Sequence, residues 1–162
     1  MEILFNNELD ITDAWLDYVE QEVHVLIEHE NILRMELYID TQVLNPSMQQ
    51  YLEKNGQMFE PVLGIYDREE ESISVTAAAL KILDSIPNLS RFKNLKSRIR
   101  EVFCQVIRGL KGLKWKEIIK GVLVALIPAF SDGIPTVVLP IVIGLIAIFF
   151  KMGYGAVCNS RW

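Results

Sequence analysis

Apolar and polar positions follow two different periods along this chain. Within residues 10–32, Trp15, Val19, Val23 and Leu26 recur at intervals of four, four and three, which places them on one helical face. Asp10 stands where an N-cap belongs, Asp13 and Asp17 suit the electropositive first turns, and Asn31 is a natural stop. Leu33, Met35, Leu37 and Ile39 then alternate with Arg34, Glu36, Tyr38 and Asp40, a period of two that predicts a half-buried strand. The short apolar run 2–5 predicts an edge strand. Asn45-Pro46-Ser47 breaks the pattern, and Ser47 can cap a short helix through Tyr51 and Leu52 that ends at Gly56. Beyond it, 61–66 predicts a strand, 67–72 an acidic loop and 74–86 an Ala-rich helix stopped by Pro87.

Asn88 or Ser90 caps the next helix. Its apolar positions are Phe92, Leu95, Ile99, Val102, Val106 and Leu110, with Lys93, Lys96, Arg100, Arg108 and Lys111 between them, a basic amphipathic pattern. Lys114, Trp115, Lys116 and Lys120 prolong it. Residues 121–150 then hold 21 apolar side chains in 30 positions and one charge, Asp132. Asp132-Gly133 is a turn dipeptide that divides the tail. The first piece, 121–131, is too short to cross a core of ~30 Å. The second, 134–150, reaches the lower limit, and extends if Lys151 snorkels and 152–158 continue the span. One transmembrane helix near 134–157 is the expectation, with 114–131 interfacial or re-entrant. A short helical hairpin is the alternative. A core hairpin buried in a soluble fold is the competing reading, and a tail hidden at rest and released by a trigger reconciles the two.

Charge sharpens this division. Residues 1–90 carry 18 acids and 4 bases, residues 91–120 carry 2 acids and 10 bases, and the whole chain has a net charge of −5. The expected organisation is an acidic α+β domain over 1–88, a basic amphipathic juxtamembrane helix over 89–120, and a hydrophobic membrane-inserted tail over 121–162. The acidic domain is a poor nucleic-acid ligand. The basic segment suits anionic lipid, through Arg108, Lys111, Lys114, Trp115, Lys116 and Lys120, with Lys151 and Tyr154 at the far interface. Alternatively, it packs its apolar stripe on the acidic domain. No basic leader precedes the acidic domain, and the bases ahead of the tail predict an inner-membrane protein with that domain in the cytoplasm.

Candidate chemistry is sparse. Cys104 and Cys158 lie far apart without a CxxC or a histidine cluster, which supports neither a disulfide framework nor a zinc site. Glu20, His24 and Glu28 share a helical face, but no second ligand helix accompanies them. Gly153-Tyr154-Gly155 lacks the surrounding elements of a channel filter. No nucleotide-binding loop, hydrolase elbow or metalloprotease motif is present, so neither an enzyme nor a cofactor is expected. The leading expectation is an effector that oligomerises and permeabilises or depolarises a membrane, as in bacterial defence or toxin systems. Its pore or packing residues would be Asp132, Pro140, Gly144 and Ala147. The alternative is a membrane-anchored adaptor whose acidic domain recruits a protein partner.

Overall fold

The computed structural model describes residues 2–59, 88–109, 114–130 and 133–159. It is built from helices, with a single two-stranded ribbon among the described residues. The first helix, α1 (Asp13–His29), starts at Thr12, whose hydroxyl accepts from the Trp15 N–H. Asp10, the expected cap, lies in the preceding 3-10 turn, where its carboxylate accepts from the N–H groups of Asn6 and Asn7. Helix α3 (Pro46–Asn55) is capped by Asn45 and has Pro46 in its first turn, where a missing N–H costs nothing.

The predicted strand over 33–40 is instead a helix, α2 (Ile32–Val43), capped by Asn31 through the Arg34 N–H. The alternation hid a second pattern. Met35, Ile39 and Val43 are spaced i, i+4, i+8, and all three are buried on one face. Arg34, Met35, Glu36 and Leu37 are also strong helix formers. The expected strand at the N-terminus does form: β1 (Ile3–Phe5) pairs antiparallel with β2 (Ile134–Pro135), Ile3 opposite Pro135 and Phe5 opposite Ile134. Gly133, just before β2, has φ +94°, and a Cβ there would stand 2.7 Å from the Phe5 carbonyl oxygen. Only glycine meets both demands. The elements expected over 61–86 lie outside the described residues.

The basic amphipathic stretch forms α4 (Leu89–Gly109), and α5 (Trp115–Leu126) follows. Phe92, Leu95, Ile99, Val102 and Phe103 of α4 are buried, so its apolar stripe packs inward. The tail yields α6 (Leu139–Met152) and the short α7 (Tyr154–Cys158), separated by Gly153 at φ +93°. Pro140 opens α6 in its first turn. At 14 residues α6 is about 21 Å long. Among the described residues, no helix is long and apolar enough to cross a membrane. The expected transmembrane helix over 134–157 is therefore corrected, together with the membrane-protein reading and the inner-membrane location that rested on it. The α+β assignment is corrected too: the strands form one short ribbon on a helical body.

Helix α6 is the centre of that body. A helix apolar on every side must be enclosed, either by lipid or by protein. Here α1 and α2 turn their stripes onto it, with α4 alongside, while α5 joins α1 to α4. Ten of its residues are buried, from Leu139 through Phe149. Each large aliphatic side chain enclosed in this way contributes about 1.5–3 kcal/mol. Buried residues from all three expected segments join in this one core. Cys104 of α4 and Cys158 of α7 form a disulfide across 54 residues of chain, a bond the cysteine spacing did not suggest.

Candidate functional site

Three of the eight residues expected to meet lipid, Trp115, Lys116 and Lys151, make side-chain contacts within the molecule. Trp115, at the start of α5, lies between two rings: Phe150 of α6 is stacked on it at 4.6 Å, and His24 of α1 at 4.4 Å. Lys116 places its ammonium 2.8 Å from the Asp17 carboxylate of α1. Hydrogen bonding to Asp17 raises the Lys116 pKa, and the nearby Asp13 and Glu20 add to the effect. Lys151 donates to the carbonyls of Ile27 and Glu30, at 2.9 and 3.1 Å. It thus caps the C-terminal end of α1, where a cation is favoured. The backbone N–H of Lys114 reaches Glu117 Oε1 at the α5 terminus. Arg108 and Lys120 are exposed, and Tyr154 is half-buried at the start of α7.

Of the residues expected to line a pore or pack between copies, Gly144 and Ala147 lie inside the molecule. Gly144 faces α2: a Cβ on it would lie 2.8 Å from Ile39 Cγ1, and the Tyr38 ring is within 4 Å. Ala147 is fully buried. Asp132 and Lys111 lie outside the described residues. Glu20 and His24 form an i, i+4 pair at 3.9 Å. Among the described residues, no group of three His, Cys, Asp or Glu side chains could hold a metal ion.

Besides Ile3, Leu9 and Leu44, the exposed large hydrophobic side chains among the described residues lie on a face of α1 with a neighbour from α2. Tyr18, Glu22 and Val25 are spaced i, i+4, i+7 and project from α1. Tyr38 of α2 joins them: its phenol pKa is raised by burial first, then by Glu22 and Tyr18. Tyr18 is 49% exposed, Val25 41% and Tyr38 38%, high values for large apolar side chains. Around them α1 carries Asp13, Asp17, Glu20, Glu22 and Glu28 and no lysine or arginine. Helix α4 carries the opposite charge: Arg91, Lys93, Lys96, Arg98, Arg100 and Arg108 against Glu101 alone.

No protein-family model, curated protein or solved structure matches this chain. Its chemistry is therefore read from its own side chains.

A second feature lies between α2 and α4. Asp40 is only 6% exposed. Burial raises its carboxyl from the ordinary 3.8 to about 6 against the opposing pull of Lys96 of α4. Glu36, one turn earlier, is raised as well, by burial first, with Lys96 opposing and Asp40 adding. The sequence marked neither residue, because both sat on the polar side of an expected strand. Tyr18, Val25 and Tyr38 were missed for a related reason. Their signal was an aromatic and aliphatic stripe on the wet face of an acidic helix, and it becomes legible only once 32–43 is a helix too.

Proposed function

We propose that this chain is a protein-recognition module whose α1 face, completed by Tyr38, binds a basic segment of a partner protein. The observation that carries this reading is the exposure of Tyr18, Val25 and Tyr38 beside Glu22 on a helix with five carboxylates and no lysine or arginine of its own, of which Asp17 pairs with Lys116 of α5. Aromatic rings with few rotatable bonds provide contact area at low entropic cost. The surrounding negative charge steers a basic partner and disfavours acidic ones. This is the adaptor expectation with its membrane anchor removed. A photo-crosslinker at Val25, in cells that make the protein, should trap a basic partner. The same probe at Gln105, on the exposed side of α4, should not. Glu22→Arg should abolish the Val25 adduct. Equal trapping at the two sites, or persistence in Glu22→Arg, would overturn the proposal.

A second reading is favoured by one observation, the burial of a helix that is apolar on every face. It is an effector that holds α6 inside and releases it on a trigger, assembling with other copies to perturb a membrane. This reading requires the body to open. Dye release from anionic vesicles should then be absent with the folded protein and appear when the Cys104–Cys158 bond is reduced. Silence in both states would dismiss it.

A further inference from the structure

A cleft of about 600 Å³ opens between α3 and the ribbon. One wall is α3, where Ser47, Gln50 and Lys54 follow at i, i+3 and i+7 on a single face. The other wall is Glu2, beside β1, with Thr136 and Val137 from the turn that leads into α6. A backbone bond from the Thr136 N–H to the Glu2 carbonyl, 3.0 Å long, ties this second wall together. The volume is that of a small-molecule site, but the lining is not the usual apolar one.

Two properties of the lining restrict what it can hold. Among the described residues, the side chains of Glu2, Ser47, Gln50, Lys54 and Thr136 make no hydrogen bond or ion pair. By contrast, the neighbouring Asn45 and Asn55 are already committed, to the Ser47 N–H and the Tyr51 carbonyl. Glu2 and Lys54 also carry opposite charges on the two walls without pairing with each other. An apolar ligand would leave these groups unpartnered, at a cost for each. A ligand of a single charge would satisfy one wall and oppose the other.

We infer that this cleft binds a small zwitterion, a free amino acid or a short polar peptide. Lys54 takes the carboxylate and Glu2 takes the ammonium, while Gln50, Ser47 and Thr136 bond to the polar atoms between. Charge-assisted bonds at both ends supply the orientation that an open cleft otherwise lacks. The site is separate from the α1 face and does not depend on its having a partner.

The test is an amide NMR titration of the full chain with L-glutamine and glycyl-glutamine, alongside acetate, methylamine and glucose. Saturable shifts at Ser47, Gln50 and Thr136 with the two zwitterions, but not with the three controls, are the expected result. Lys54→Gln and Glu2→Gln should each weaken binding by about tenfold or more. Both side chains are at the surface, so the melting temperature of each variant should stay at the parent value. Three results would overturn the inference. One is no saturable shift with either zwitterion at about 10 mM, the concentration of a very weak ligand. The second is acetate or methylamine binding as well as glutamine, which would mean a site for one charge. The third is glucose binding that survives both substitutions, which would mean a polyol site.

Discussion

Gly144→Ala is the substitution whose sign depends most directly on the packing of α6. Helix propensity favours the change: alanine in a helix interior is better than glycine by about 0.5–1 kcal/mol. Contact opposes it. The new methyl would lie 2.8 Å from Ile39 Cγ1 and 3.1 Å from Cδ1, whereas relaxed carbon contacts are about 3.5–4.0 Å. Ile39 is 2% exposed, and its branched side chain has essentially one helical rotamer, so it cannot swing aside. Forcing α2 and α6 apart costs about 1–3 kcal/mol. The contact term therefore wins, and Gly144→Ala should lose roughly 1–2 kcal/mol net. Ile39→Ala alone should lose about 2–5 kcal/mol through its cavity. Together they should lose at least about 1 kcal/mol less than their sum, because the new methyl enters that cavity. Urea unfolding of the parent, both single variants and the double variant closes the cycle. Stabilisation by Gly144→Ala, or additivity within about 0.5 kcal/mol, would refute the α2–α6 contact.

Two further outcomes follow from the same body. The Cys104–Cys158 bond closes a loop across 54 residues that includes α5 and α6, so chain entropy assigns it about 4 kcal/mol. Urea midpoints measured with and without reductant should differ accordingly, and identical curves would show that the bond contributes nothing. Asp40 has a folded-state pKa of about 6 against 3.8 for the ordinary carboxyl, so the folded protein binds its proton more tightly. The resulting stability is fully present below pH 3.8 and is lost as pH rises through about 6. The shift corresponds to roughly 3 kcal/mol. Asp40→Asn should therefore raise stability at neutral pH and flatten the slope between pH 4 and 6, a result read from unfolding at a series of pH values. An unchanged slope would remove Asp40 from the account.

The sequence showed local features well and partners poorly. Helices α1 and α3 could be read because their stripes are local, although their caps are Thr12 and Asn45 rather than Asp10 and Ser47. For α2 the alternation of Leu33, Met35, Leu37 and Ile39 was real but incomplete. Val43, one turn beyond Ile39, is what converts the pattern to a helical one. The tail shows a deeper limit. Hydropathy says that a segment must leave water but does not say whether lipid or protein receives it. The answer lay in Pro140 and Gly153, which bound α6 at 14 residues, and in α1 and α2, whose stripes needed a surface to cover. Trp115, Lys116 and Lys151 drew notice as an aromatic residue among cations and a cation after a long apolar run. Their partners are His24, Asp17 and the Ile27 carbonyl, about 90 residues or more away, and no local pattern could supply them.

The position of α6 in chain order has a consequence for biosynthesis. Ile39 and Gly144, which meet across the α2–α6 contact, are separated by 105 residues of chain. At roughly 5–20 residues per second, a ribosome takes about 5–20 s to travel from one to the other. During that interval α1 and α2 have emerged with apolar stripes and no post to close upon. The native core can close only once this late-made centre is present. A nascent chain stalled before residue 139 presents those two stripes to whatever chaperone is at hand, and the same chain stalled well after residue 152 can withdraw them.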